Sequence, residues 1–303
     1  MTTPENAVPE PLDTREIVPV STPWPLYWSI RRELWENRSI YLAPLGAAAV
    51  FMCGFLISLI GLPSKMRALS ALNLAQGHAN TPYEYAAVLV MGTAFIVGIF
   101  YSLEALYGER RERSILFWKS LPVSDLITVL SKLTVPLIIL PLLSFAISAV
   151  TQLLMLLLSS AVLLGSGLSV ATLWGHASFF HFSLMLFYHI VTIHGLWYAP
   201  LYGWLLLVSA WAPRAPFIWA FLPPFVIVGV EKLTFNTAYF FEMLRGRLMG
   251  PGAPTSAGGN PMDVMVAHTP LQFLSEPGLW TGLAVAALFL AAAARLRRYR
   301  GPI

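Results

Sequence analysis

Residues 102–132 read SLEALYGERRERSILFWKSLPVSDLITVLSK, and this stretch separates two long apolar segments. It holds nine of the 34 Lys, Arg, Asp and Glu residues in a chain of 303. By contrast, residues 85–103 before it and 133–164 after it carry no charge. The stretch is therefore expected to be a polar loop where the chain leaves a membrane between two crossings.

The composition supports a membrane protein. The chain is 57% hydrophobic and only 11% charged, whereas soluble domains average about 25% charged residues. Its net charge of +4 does not indicate nucleic-acid binding, because the basic residues lie at the ends of apolar runs and not along one stripe. We predict an all-α polytopic membrane protein that binds membrane lipids and no nucleic acid.

Six segments are long and apolar enough to be membrane spans, since a helix needs about 20 residues to cross the hydrocarbon core. Residues 1–22 are rich in proline and acid and predict a disordered cytoplasmic tail, followed by a single transmembrane domain over residues 23–303. Pro136 and Pro141 are expected to bend the third span, and Pro223 and Pro224 to kink or interrupt the fifth. The predicted spans are residues 41–61, 85–103, 133–164, 187–211, 216–230 and 279–294.

Basic residues predict the orientation. With the N-terminus in the cytoplasm, fourteen Lys and Arg residues fall on the cytoplasmic side and five on the other. Both termini are therefore predicted to be cytoplasmic. Residues 245–263 form a Gly- and Pro-rich loop on the outer side.

A further helix is predicted before the first span, over residues 23–38. Pro25 suits a helix start, and Trp28, Arg32 and Trp35 recur at helical spacing with Arg31 beside them. Aromatic and basic residues in this pattern indicate a helix in the cytoplasmic membrane interface, or simply a juxtamembrane anchor.

The sequence contains no motif for catalysis or nucleotide binding. There is no Asp or Glu between Asp125 and Glu231, no HExxH, no GxSxG and no P-loop lysine. Four histidines are spaced by steps of five or eight residues, and steps of five on an α-helix scatter the rings by about 140°. We therefore predict no enzyme activity, no catalytic residue and no metal site; the histidines are His176, His181, His189 and His194.

The loop between the second and third spans has two parts. The first is predicted to be a charged cytoplasmic border, which comprises Glu104, Glu109, Arg110, Arg111, Glu112 and Arg113. Within it, Glu104 is expected to pair with Arg110 or Arg111. The second is apolar although it should lie in water, and it is predicted to form a short helix from a Ser114 cap to the Pro122 breaker. Ser124 or Asp125 would then cap the third span.

An apolar patch in a wet loop is typical of a docking surface, with Trp118 as its anchor. The alternative is an aromatic belt in the headgroup region. The predicted docking residues are Ser114, Ile115, Leu116, Phe117, Trp118, Lys119 and Leu121.

The run LEALYGERRERSILFWKSLPVSD closely resembles the cytoplasmic loop of permease subunits of ABC-2 (type V) exporters, and the six-span topology with its first helix is similar to their membrane domain. The resemblance implies a permease dimer, formed by two copies or by a copy and a paralogue, in the bacterial inner membrane. It also implies cytosolic ATPase subunits that bind ATP and Mg²⁺ and receive residues 114–121 as a coupling helix. Residues 23–38 would be the family's connecting helix, and the outer segments between spans five and six would partly re-enter the membrane.

On this resemblance the expected function is export of an amphipathic or hydrophobic substrate, with no cofactor bound by this chain. The alternatives are an ion-coupled secondary transporter, which would depend on Glu104, and a membrane scaffold without transport.

Overall fold

The computed structural model describes residues 25–71, 81–120, 123–170, 174, 179–250 and 270–300, and the regular elements in these residues are helices. Five of them are long and apolar enough to cross a membrane, and one bent helix pair would make a sixth if it counts as one span. The prediction of an all-α protein with several apolar spans is confirmed. The predicted tail of residues 1–22 lies outside the described residues.

The helices are numbered here in chain order, and several begin or end beyond the predicted bounds. The helix of the third predicted span is π-helical over Val135–Ile139. The helix Phe179–His189 continues as a π-helix over Ile190–Trp197. The helices are α1 Pro25–Glu36, α2 Ser39–Leu59, α3 Leu62–Ala71, α4 Thr81–Ala105, α5 Tyr107–Arg111, α6 Ile115–Ser120, α7 Asp125–Gly165, α8 Phe179–Trp197, α9 Ala199–Trp211, α10 Pro216–Phe235, α11 Tyr239–Met249, α12 Pro270–Ser275 and α13 Pro277–Tyr299.

One end of the bundle gathers the short helices α1, α5 and α6 together with the start of α7 and the C-terminal turns of α9 and α13; we call it the charged end. A cluster of buried apolar residues lies just inside it and includes Ile40, Leu106, Val129 and Leu206. These four residues come from α2, the α4–α5 junction, α7 and α9. The helix ends at the charged end are thus held by a shared core.

The third predicted span starts at its predicted cap and contains a π-helical turn. Its helix begins at Asp125, where the Ser124 hydroxyl accepts a hydrogen bond from the Ile127 N–H at 3.2 Å, and this confirms Ser124 as the cap. The π-helical turn includes Pro136 and ends just before Pro141. Because proline cannot donate to the carbonyl four residues earlier, the two prolines favour this local change of helical pitch.

Of the two predicted effects of Pro223 and Pro224, an interruption of the fifth span is wrong, and a kink stays a prediction. Helix α10 runs without a break from Pro216 to Phe235 with Pro223 and Pro224 inside it. Proline at 224 leaves the Ala220 carbonyl without its usual helical donor, and the Trp204 indole N–H of α9 donates to that oxygen at 3.0 Å. The break occurs instead in the fourth span, where α8 and α9 meet at 45°.

At the other end of the bundle, α11 is fixed at both of its ends, and it includes Arg245–Met249, which the sequence assigned to a loop. The Glu231 carboxylate at the end of α10 accepts the backbone N–H groups of Tyr239 and Phe240, at 2.6 and 2.9 Å. At the C-terminal turn, the Arg247 guanidinium lies 4.3 Å from the centre of the Trp197 ring and donates to the Gly278 carbonyl. Helix α11 therefore joins α10 to the bent span and to α13.

The Arg247 contact requires a glycine on α13. A Cβ atom at Gly282 would overlap the guanidinium of Arg247, whereas a Cβ at Gly46 on α2 would meet no atom within 4 Å. Because the guanidinium is the far end of a flexible side chain, we expect Gly282→Ala to displace it from Trp197 and to destabilise the protein by about 1 kcal/mol relative to Gly46→Ala, the value of the lost cation–π contact. Gly46→Ala should be neutral or stabilise it by up to about 1 kcal/mol, because alanine favours the helix.

Unfolding of both variants in the same detergent, followed by the loss of helical circular dichroism, measures this difference. Equal stability of the two variants would contradict a stabilising contact between Arg247 and Trp197.

Candidate functional site

Helix α6 exposes one face and buries the other. Leu116 and Phe117 are each 60% exposed, whereas Ile115 is 1% exposed and Trp118 is half-buried. Residues three apart on a helix share a face, so Ile115 and Trp118 turn towards the protein together. The prediction that this whole patch lies in water is therefore wrong for Ile115, and Leu121 lies outside the described residues.

Trp118 connects the inward face of α6 to α1. The Arg32 guanidinium of α1 lies 3.8 Å from the centre of its indole ring, a cation–π contact inside the protein. Phe117 packs edge-on against the same indole, with ring centres 4.9 Å apart. The outward part of the predicted docking patch consequently consists of Leu116 and Phe117.

Beneath α6 lies an ion network that the sequence did not predict. The Lys132 ammonium of α7 pairs with Glu33 of α1 at 2.9 Å and with Glu109 of α5 at 3.1 Å. The second Glu109 oxygen pairs with Arg297 of α13 at 3.0 Å, and Arg297 also pairs with Asp125 at the start of α7. Four separate helices therefore meet through one set of charges.

Two further groups complete this network. Arg32 donates to Glu33 at 2.7 Å and lies 3.4 Å from Glu109. The Tyr101 hydroxyl of α4 donates to the other Glu33 oxygen at 2.8 Å. We call this set the ion network; its members are Arg32, Glu33, Tyr101, Glu109, Asp125, Lys132 and Arg297.

Burial makes the pairing strong. The side chains of Glu33, Lys132 and Arg297 are between 1% and 3% exposed, and that of Glu109 is 8% exposed. Burial alone would raise the pKa of Glu33, but the Lys132 ammonium and the Arg32 guanidinium outweigh it and hold that pKa below its usual value. Three carboxylates face three cations, so the network is neutral as a whole and the cost of desolvating each charge is offset by its partners.

Basic residues also hold the ends of neighbouring helices. The Arg110 guanidinium donates to the Ala210 carbonyl of α9 at 2.8 Å. Lys119 of α6 donates to the carbonyls of Arg298 and Arg300 at 3.3 and 3.1 Å. Cations at helix C-termini satisfy carbonyls that have no helical donor and complement the helix dipole. Helix α6 is thereby attached to α13 as well as to α1.

The predicted charged border divides into two parts. Glu109 and Arg110 are buried, at 8% and 6% exposure, and their charges face other helices. Glu104 pairs with Arg111 at 2.8 Å and both side chains are about half exposed, as one of the two predicted pairings expects. Glu112 and Arg113 are exposed as well, and the Ser114 hydroxyl donates to the Glu109 carbonyl at 3.4 Å; its predicted role as the cap of α6 stays a prediction.

A cavity of about 310 Å³ opens between α1, α5 and α6. Trp118 and Lys132 line it together with five glutamates, which all pair with Lys or Arg side chains; these are Glu33, Glu36, Glu104, Glu109 and Glu112.

One sequence signal could have revealed part of the network. Asp125, Thr128 and Lys132 recur at steps of three and four residues, so they share one face of α7 in an otherwise apolar segment. Such a stripe favours an inward-facing lysine with a partner. The partners Glu33 and Glu109 are 99 and 23 residues away, and no local pattern connects them.

The histidines follow a different geometry from the predicted one. His189 and His194 contact each other with ring centres 5.5 Å apart, because the π-helical segment brings residues five apart onto one face. The prediction that a step of five scatters these two rings is therefore wrong. Among the residues that the structure describes, no group of three or more His, Cys, Asp or Glu could hold a metal ion; His176 lies outside them.

No family model matches the sequence, and no curated protein and no solved structure is significantly similar to it. We therefore base the proposed function on the residues of the charged end and on the resemblance of residues 103–125.

Removing the central cation of the network should be costly. Lys132→Met would leave Glu33 and Glu109 buried without that partner, and breaking a buried ion pair in this way typically costs about 3–5 kcal/mol. The matched control is Arg111→Gln, which removes a half-exposed pair with Glu104 and should cost about 1 kcal/mol or less.

Denaturant unfolding of the purified protein in detergent compares these two variants with the unsubstituted chain. A Lys132→Met variant no less stable than Arg111→Gln would show that the buried network does not hold the charged end together.

Proposed function

We propose that the protein is the membrane-spanning permease subunit of an ATP-driven ABC-2-type exporter. In this proposal six spans cross the bacterial inner membrane, with both termini in the cytoplasm. A separate cytosolic ATPase binds ATP and Mg²⁺, and this chain has no nucleotide site of its own. The transported molecule is amphipathic or hydrophobic, because the spans offer an almost uncharged surface to it.

The observation that carries the proposal is the exposed pair Leu116 and Phe117 on a firmly attached short helix. Two large apolar side chains at 60% exposure, flanked by charged residues, are typical of a protein-binding surface. The outward direction of this pair supports the coupling-helix role that the resemblance implies for residues 114–121.

The attachment of α6 suggests how force from an ATPase would reach the membrane. Lys119 joins α6 to the last turn of α13, and Trp118 joins it to Arg32 in α1. Arg32 belongs to the ion network and contacts Glu109, which pairs with Lys132 of α7. A push on Leu116 and Phe117 would therefore move α1, α7 and α13 together, and not only the two spans that the loop connects.

A second permease copy or a paralogue completes the proposed assembly. Ala220 is the one buried residue of the fully described helix α10, and exposed apolar residues of this helix, such as Phe225, Val226 and Leu233, can meet lipid or another copy. The other proposed partners are the cytosolic ATPase and the membrane lipids.

The docking role predicts a selective effect of Phe117→Asp. Purification of the chain in detergent should recover a P-loop ATPase from the native host. Phe117→Asp should reduce its recovery at least tenfold, because a large apolar residue at the centre of an interface is a hot spot that contributes about 2 kcal/mol or more, and about 1.4 kcal/mol is already tenfold. Trp118 is unsuitable for this test, because its replacement would also disturb Arg32.

The matched control is Tyr299→Asp, which places the same charge on another exposed aromatic at the charged end. Equal recovery of the ATPase with Phe117→Asp and with the unsubstituted chain would remove α6 from the docking surface. Equal loss with both variants would indicate a general charge effect.

An ion-coupled carrier would give the opposite ranking. It would require Glu104 to change its protonation, yet Glu104 is half-exposed and paired with Arg111 at 2.8 Å. We expect Glu104→Gln to retain transport within about fivefold, since an exposed ion pair contributes at most about 1 kcal/mol. The measurement is efflux of a hydrophobic dye from cells that express the protein with its ATPase; loss of efflux at every pH would favour the carrier.

A further inference from the structure

The outward face of α1 holds an arginine between two tryptophans. The Arg31 guanidinium carbon lies 5.3 Å from the centre of the Trp28 ring and 4.8 Å from that of Trp35. Trp28 and Trp35 are 55% and 70% exposed, and Arg31 is exposed between them. The rings hold the guanidinium on the surface while its N–H groups stay available to a ligand.

The neighbouring arginine has the opposite surroundings. Arg32 points inward and pairs with Glu33, Glu36 and Glu109. Within the part of the chain that the structure describes, no carboxylate pairs with Arg31. Two adjacent arginines thus differ in function: Arg32 belongs to the ion network, and Arg31 presents an unneutralised cation on the opposite face.

The position of α1 next to the first apolar helix favours the membrane interface as the surface that this face meets. Helix α1 ends at Glu36 and the first apolar span begins at Ser39, so α1 lies within a few residues of the hydrocarbon edge. Exposed Trp side chains favour the headgroup layer, where the ring is partly apolar and its N–H is wet. The nearest exposed acid, Glu36, is engaged by Arg32 at 3.5 Å and does not neutralise this face.

We propose that Trp28, Arg31 and Trp35 form a binding site for the phosphate headgroup of an anionic phospholipid. The guanidinium would donate to phosphate oxygens, while the two indoles would contact the glycerol and upper acyl region. The net negative charge of the lipid matters, because a zwitterionic headgroup neutralises its own phosphate. This site is independent of the proposed ATPase docking surface.

The test uses the full-length protein in a neutral detergent, with phosphatidylglycerol or phosphatidylcholine added at equal concentration. Native mass spectrometry then counts the lipid molecules retained. The unsubstituted chain should prefer phosphatidylglycerol, and Arg31→Gln should lower that preference about fivefold, the amount that one basic residue contributes near an anionic membrane surface. Arg295→Gln is the matched control, since Arg295 is an exposed arginine in the last turns of α13 with no tryptophan on either side.

Two further arms separate the sources of the effect. Trp28→Ala should weaken retention of phosphatidylglycerol without changing the net charge, and inorganic phosphate should stabilise the protein against heating far less than the lipid does. The proposal is overturned if Arg31→Gln retains the full preference, if Arg295→Gln loses as much, or if free phosphate stabilises equally. Unfolding temperatures without added lipid verify that the variants are folded.

Discussion

The neutralisation of buried charges is the constraint on which the charged end depends. Lys132, Glu109 and Arg297 are each less than a tenth exposed, and an unpaired ion at such a depth would cost several kcal/mol. Each of them therefore needs partners, and those partners come from different helices. Because Glu33 belongs to α1 and Arg297 to α13, these elements cannot separate without leaving a charge exposed to a medium of low polarity.

This constraint gives a physical meaning to the exposed pair on α6. A flexible loop would absorb a push, whereas α6 is held by Lys119 at the end of α13 and by Trp118 against Arg32. The apolar face of Leu116 and Phe117 thus lies on a helix that is attached to both α1 and α13. The proposed docking surface for an ATPase lies on α6, and the proposed lipid site lies on α1.

The sequence predicted what depends on local pattern and missed what depends on distant contacts. Apolar length located five helices long enough to cross a membrane, and Ser124 identified the start of α7. The predicted interruption at Pro223 and Pro224 is wrong, because the donor that satisfies the Ala220 carbonyl comes from Trp204 on another helix. In the same way a charge-rich segment predicts a wet border, and only the tertiary fold shows that Glu109 is buried.

The most direct test of the network is hydrogen–deuterium exchange of the full-length protein before and after Lys132→Met. If one set of charges joins the helices, the substitution should accelerate amide exchange in α1, α5, α6 and the last turns of α13 together. The halves of α2 and α4 that lie away from the charged end should stay protected. Acceleration confined to the turns of α7 next to residue 132 would contradict the account, because it would show that the helices at the charged end are stabilised separately.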